Sequence, residues 1–274
     1  MDMPRSRQAT LSFGDLLKRW RAARRMSQLE LAVEAEISAR HLSFLETGRA
    51  QPSRDMIRLL GQALDIPFSD QNNLLLAAGF APKYAEREID APELEQARHA
   101  LEFILKQQEP YPAYVIDEVW NIRMRNTAAD RVFRPFRELS DLPADRARNA
   151  MHLLCHPKGV RRFMTNWEEF VGPLIQSIHH EAIVSNSAGV LRLRDELLAY
   201  PGMPADWKTV ANTPTAPPLL TMRLQKGDLQ FAFFATLTTF ANPHEVTLQQ
   251  LRVECLFPAD KATEDAARRL ANGN

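Results

Sequence analysis

The chain is poor in cysteine and has no long apolar run, and each shortage excludes a class of protein. Its two cysteines, Cys155 and Cys255, lie a hundred residues apart. That is too sparse for a disulfide framework or a cysteine-based zinc site, and it fits a reducing cytoplasm. No apolar stretch approaches the roughly 20 residues that span a bilayer, so a membrane partner is not expected. The opening MDMPRSRQATLS has no apolar segment after its basic residues and does not read as a secretory signal. A Gly-rich phosphate loop, a G-x-S-x-G elbow and obvious paired acids are also missing, so no catalytic residue is assigned and an enzyme is not expected. His152, Cys155 and His156 stand close together, with His179-His180-Glu181 further on. Pro157 disrupts any helix that would align the first group, and a metal site needs three or four converging ligands, so no metal is assigned.

Excess charge is missing as well, with Lys and Arg balancing Asp and Glu at 34 each. The balance is uneven along the chain. From Met1 to Arg58 there are eleven bases and seven acids, a net of +4, so the remainder carries 23 bases and 27 acids, a net of −4. A basic end of this kind points mildly to a polyanion partner. What the chain has in quantity is apolar residues, 45% of 274, enough for a packed core in one large domain or two ordinary ones.

Helix punctuation is dense in the first eighty residues. Ser12-Phe-Gly-Asp15 and Ser27-Gln-Leu-Glu30 fit the capping box, in which a serine oxygen and an acid satisfy each other's free N–H groups. The first opens a helix with Leu16, Leu17 and Trp20 on one face; the second opens a helix carrying Leu29, Leu31, Ala32 and Val33. Ser38 caps a third, from Ala39 to about Thr47, that Gly48 stops. A fourth follows Pro52-Ser53 with Met56, Ile57, Leu59, Leu60 and Leu64 inward, and a fifth runs from Ser69 to Gly79. Only Glu34 to Ser38 join the second and third helices, so the two must cross steeply, as in a helix-turn-helix. Leu42 and Leu45 then pack inward and Ala39, Arg40 and Ser43, with Phe44 beside them, face out. Small residues permit close approach to a major groove and Arg can grip guanine bidentately. The basic run Lys18, Arg19, Arg21, Arg24 and Arg25 fits either a solvated helix face or nonspecific phosphate contact.

SQLELAVEAEISARHLSFLETGRAQPS, from Ser27 to Ser53, resembles the XRE (lambda-repressor-like) helix-turn-helix family. The resemblance rests on Gln28, Leu31-Ala32, Ser38, Leu42, Leu45-Glu46-x-Gly48-Arg49 and Pro52-Ser53. It implies double-stranded DNA as partner, with Gln28 on backbone phosphate and Ala39, Arg40 and Ser43 on bases. Ser38, Arg49 and Ser53 complete the expected DNA-binding set. Glu36 departs from the family, which usually has Gly in the turn.

Beyond a helical connector, 83–110, the period changes to two. Ala113 to Ile116, a turn at Asp117-Glu118, and Val119 to Arg125 read as a hairpin with Trp120, Ile122 and Met124 on one face. A long amphipathic helix is expected through Val160, Phe163, Met164, Trp167, Phe170, Val171, Leu174, Ile175 and Ile178, and a further one through Leu191 to Leu198. Three strands close the chain: Leu220-Met222-Leu224 alternate with Thr221, Arg223 and Gln225, Leu229 to Leu237 with a mixed face, and Leu251-Val253-Cys255-Phe257 with Gln250, Arg252 and Glu254. One antiparallel sheet with helices over a single face accounts for this order. The aromatic faces, Trp120, Met124, Met222, Phe231 and Phe233 opposite Phe163, Trp167 and Phe170, fit either a plain core or a ligand cavity.

YPAYVIDEVWNIRMRNTAADRVF, Tyr111 to Phe133, with Asn166-Trp167 and the XRE head upstream, resembles the C-terminal domain of MmyB-like regulators, a PAS-like ligand-sensing fold. The resemblance implies a transcription regulator whose cavity accepts an apolar small molecule, with fatty acids the leading suggestion and those eight aromatic and methionine residues as its wall. The expected layout is an all-α five-helix helix-turn-helix domain at 1–82, the connector, an α+β PAS-like domain at 111–260 whose antiparallel sheet is covered by helices, and a tail at 261–274. A cytoplasmic homodimer on a near-palindromic operator follows from the regulator reading. The alternative is a protein-interaction module in which the PAS-like domain only dimerises.

Overall fold

The computed structural model describes residues 11–136, 142–143, 146–185, 187–208, 219–241, 243 and 245–273. They fall into two compact units, Met1–Arg87 with Pro243–Gln249, and Glu88–Asn242 with Gln250–Asn274.

The first unit holds five helices, α1 (Phe13–Ala23), α2 (Gln28–Glu34), α3 (Ala39–Glu46), α4 (Arg54–Ala63) and α5 (Phe68–Ala77). Both expected capping boxes form, at Ser12 and at Ser27, and Ser38 and Ser53 cap α3 and α4. Leu17, Trp20, Leu31, Leu42, Leu45, Ile57, Leu60 and Leu74 make its core. α1 passes so close to the end of α3 that a β-carbon on Gly14 would stand 2.5 Å from the Glu46 carbonyl oxygen. Between α2 and α3 the chain turns at Glu36 with φ 51°, left-handed backbone that glycine adopts at less cost.

In the second unit α6 (Glu95–Gln107), β1 (Ala113–Ile116), β2 (Ile122–Arg125) and α7 (Thr127–Phe133) come first. α8 (Ala150–Cys155), α9 (Trp167–Ser185) and α10 (Ala188–Leu198) follow, then β3 (Thr221–Lys226) and β4 (Leu229–Thr239). The connection out of β4 carries α11 (Val246–Gln250), after which β5 (Arg252–Pro258) and α12 (Lys261–Ala271) end the chain. The sheet order is β2-β1-β5-β4-β3, antiparallel throughout.

Four expectations need correction. β2 starts at Ile122, because Val119 to Asn121 form a turn in which Trp120 takes φ 66°. The long helix starts at Trp167 instead of Val160. Met164 bridges Leu224, and Asn166 accepts from the Arg223 N–H (3.0 Å) and donates to the Thr221 carbonyl (2.9 Å), so this stretch pairs with the edge strand β3. Helices do not cover a single face: Val115, Val253 and Cys255 are buried on the side opposite Tyr114 and Leu256, and α6 packs on β1. The expected tail is α12, which buries Ala266 and Ala267 in the core.

Most of α11 belongs to the first unit, although its flanking strands belong to the second. Gln249 accepts from the Phe68 N–H at 2.7 Å, a free N–H in the first turn of α5 that Pro67 cannot cap. Thr247 accepts from the Arg87 N–H at 2.9 Å and donates to the Arg87 carbonyl at 2.6 Å.

Candidate DNA-reading face and ligand cavity

In the first unit, burial of Leu42 and Leu45 fixes the roll of α3 and leaves Arg40 exposed with Ala39 and Ser43 half-buried. The guanidinium groups of Arg40 and Arg49 both lie over the ring of Phe44, at 5.3 and 5.9 Å from its centre. Cation–π stacking of this kind restrains two long, exposed side chains on one aromatic platform. Ser38 and Ser53 are exposed, and their oxygens accept the His41 and Met56 N–H groups (3.1 Å each), which leaves both hydroxyl protons free to donate outward.

Gln28 has a second engagement that its spacing did not announce. Its Nε2 donates to Glu46 at 2.7 Å, and Arg21 donates to the same carboxylate through Nε (2.7 Å) and Nη2 (3.1 Å). Burial alone pushes the Glu46 carboxyl up, but the hydrogen bonds from Arg21 and Gln28 outweigh it and hold Glu46 below the ordinary glutamate range. The basic run on α1 therefore has a third role. Arg21 ties α1 to α3, and Arg24 donates to the carbonyls of Leu64 and Asp65 at 2.8 Å each. Lys18, Arg19 and Arg25 stay exposed.

In the second unit a cavity of about 320 Å³ lies between the sheet and the helices. Of the eight expected wall residues, Trp120, Phe170, Met222 and Phe233 line it, whereas Met124, Phe163, Trp167 and Phe231 do not. The pairing of Met164 and Asn166 with β3 moves Phe163 and Trp167 out of helical phase. Phe163 packs edge-on against Phe136, and Arg161 covers the Trp167 ring. Phe231 is fully buried between Phe136 and Phe233. The late start of β2, with a bulge opposite Val115–Ile116, puts Ile122 on the wall in place of Met124.

Trp120 reaches the wall from the left-handed turn. Asp117, itself buried, accepts from the Val119 N–H (3.0 Å), the Asn121 N–H (2.8 Å) and Asn121 Nδ2 (2.9 Å). Asn149 donates to the Val119 carbonyl at 2.7 Å, and the Ala150 N–H donates to the Trp120 carbonyl at 2.9 Å. Strained backbone held this firmly is typical of positions that present a side chain.

The strand β5 turns the face that carries its polar residues in the alternating pattern towards the cavity. Leu256 and Glu254 line it, while Val253 and Cys255 are buried on the other side. Burial pushes the Glu254 carboxyl up to about 7, with the charge of Arg252 acting in the opposite sense. Alternation alone could not show this, because with both faces of the strand covered the polar face need not be the solvent face.

The histidine and cysteine cluster has local partners. His152 pairs through Nδ1 with the Tyr200 hydroxyl (2.8 Å) and through Nε2 with Glu196 (3.2 Å). Burial pushes the Cys155 thiol up to about 12, which leaves it without thiolate character near neutral pH. Among the described residues no group of three or more His, Cys, Asp or Glu gathers as a metal site, and no helix is long and apolar enough to cross a membrane.

Comparison with known proteins bears on both units. The family described as "MmyB-like transcription regulator ligand binding domain" matches residues 97–270. The family described as "Helix-turn-helix domain" matches residues 12–72. No curated protein matches the chain. Among solved structures it is similar to one titled "Structure of an RNA-binding Light-Oxygen-Voltage Receptor", at 13% identity and a TM-score of 0.28, with 97% of this chain and 65% of that one covered.

Proposed function

This chain belongs to the MmyB-like transcription regulators, and we propose that it binds a specific DNA duplex through α3 under the control of a small apolar molecule held in the second unit. The observation that carries the DNA part is the pair Arg40 and Arg49 over Phe44, on the exposed side of a helix whose leucines are anchored in the core. Arg40 reads a base edge. Gln28, Ser38, Arg49 and Ser53 hold backbone phosphate, and Ala39 and Ser43 allow the helix to approach. Two copies act together, with their recognition helices about one duplex turn apart on a near-palindromic operator.

The ligand is apolar, with an aliphatic chain of the fatty-acid kind. A volume of about 320 Å³ stands at the low end of small-molecule cavities and suits a slender chain better than a fused ring system.

Selection of duplexes from a random-sequence pool, followed by salt-controlled gel shifts, tests the head. A defined sequence should emerge, and its affinity should fall steeply with salt as counterions are released. Arg40→Ala should cost on the order of 1–3 kcal/mol and relax preference at one base step. Binding that is unselective and indifferent to salt would instead favour a protein-docking head.

A further inference from the structure

Most of the cavity wall is apolar; Tyr114, Ser177 and Trp120 bring neutral polar groups, with Trp120 Nε1 buried and without a partner, and Glu254 is the one charged side chain among the described lining residues. Glu254 stands directly across from Tyr114 on β1 and Leu237 on β4, all three lining the cavity. No Lys, Arg or His is among the described residues that line it. The stretch 209–218, which leads into the lining residues Leu219 and Leu220, contains no ionisable side chain. Glu254 itself makes no hydrogen bond or ion pair among the described residues.

The one cation acting on Glu254 directs its two terminal nitrogens elsewhere and leaves only a buried Nε without a partner. Arg252 pairs through Nη1 with Glu181, donates through Nη2 to the carbonyls of Asp117 and Glu118 at 3.2 and 3.0 Å, and lies over the Trp120 ring. It does not line the cavity. A carboxyl held in an apolar wall without a partner is costly, and a leucine would fill the same position at no such cost. A ligand that brings a charged donor relieves that cost through a charge-assisted hydrogen bond. A ligand that brings a second carboxylate adds like charge to a wall with no base among its described lining residues.

We propose that the cavity takes an apolar amine, its aliphatic chain along Phe170, Met222 and Phe233 and its ammonium group against the Glu254 carboxylate. This rests on the reading of the cavity as the ligand site and narrows it. Among chain-bearing amphiphiles, the fatty-acid carboxylate is then the disfavoured member.

The test compares decylamine, decanol and decanoate by displacement of a fluorescent apolar probe from the full chain. It is run at about pH 8, where an alkylamine keeps its proton and carboxyls are ionised. Decylamine should bind about tenfold more tightly than decanol, with decanoate weakest. Glu254→Gln, whose fold is checked by its circular dichroism and melting, should bring decylamine down to decanol and strengthen decanoate. The ranking in the unsubstituted chain decides the matter even if that variant fails to fold. Decanoate binding as tightly as decylamine, or a ranking unchanged in Glu254→Gln, overturns the amine assignment and leaves the cavity reading standing. Failure of all three ligands to bind overturns the cavity reading, and the amine with it.

Discussion

Two glutamates, one buried and one half-buried, show how much an acid depends on what faces it. Glu46, with a fully buried side chain, receives three hydrogen bonds from Arg21 and Gln28, so its folded pKa lies below the ordinary 4.5. The stability it contributes is present above that ordinary value and lost as pH falls through the folded one. Glu46→Ala strands Arg21 and Gln28 and should cost about 3 kcal/mol in urea unfolding at neutral pH; a loss under 1 kcal/mol would mean that solvent takes over both donors. Glu254 has the opposite sign. Its folded pKa of about 7 stands above the ordinary 4.5, so the folded state holds the extra proton and stability falls as pH rises between those values. The fall amounts to at most about 3 kcal/mol. Melting of the unsubstituted chain beside Glu254→Gln at about pH 5 and pH 8 checks this, and the difference between the two proteins should shrink or reverse at the higher pH. Glu46 was legible as a mark of the Leu-Glu-x-Gly-Arg signature, but its role was not, because its partners Arg21 and Gln28 stand 25 and 18 residues away in the chain. Glu254 reads in sequence as an ordinary outward polar residue of an alternating strand, and only the cover on both faces of the sheet turns it inward.

Elements in the head follow from local signals, and elements around the cavity do not. Capping boxes, a short turn and leucine spacing specify α1 to α4 within a few residues of chain, so their order and ends could be read directly. The Trp120 turn and the start of α9 depend on distant partners: Asn149 and Ala150 hold the former, and β3 the latter. A helix-period run from Val160 to Ile178 gave no sign that Asn166 would act as a strand-pairing group. The same dependence makes the turn testable. Asp117→Ala removes three hydrogen bonds from Val119 and Asn121 and the ion pair with Arg123. Asn149, Ala150 and the backbone bonds between Asp117 and Trp120 or Asn121 remain, but with the side-chain bonds gone the strained φ of 66° at Trp120 should be held less firmly and relax in part. Affinity for the cavity ligand should fall about tenfold by probe displacement, with a loss of roughly 2–3 kcal/mol in stability. Lowered stability with unchanged ligand affinity would show that the turn shapes the fold without placing Trp120 on the wall.

At the scale of the whole molecule, regulation requires that ligand and DNA favour the same or opposed members of a set of conformers. The chain offers one covalent path along which such a bias can pass besides the junction near Arg87. The cavity strands β4 and β5 are joined through α11, and Pro243–Gln249 folds as part of the head. Its anchors include Gln249 on the first turn of α5, Thr247 on both backbone groups of Arg87, the Arg87–Glu245 ion pair, and the Val246 N–H on the Ala85 carbonyl, with the Val246 side chain buried. A ligand that shifts β4 against β5 displaces the strands that lead into and out of α11. Typical coupling between two sites is about 1–3 kcal/mol, a factor of roughly 5 to 150 in affinity. Thr247→Ala combined with Gln249→Ala removes the hydroxyl and amide anchors, leaving the Arg87–Glu245 pair, without touching α3 or any cavity-lining residue. Operator affinity without ligand should stay within about twofold, ligand affinity should likewise hold, and the factor by which ligand alters operator affinity should collapse towards one. Gel shifts with and without ligand, on both proteins, measure that factor. A ligand response of undiminished size in the double variant would mean that the bias travels through the junction near Arg87 instead, and that α11 serves only to complete the head.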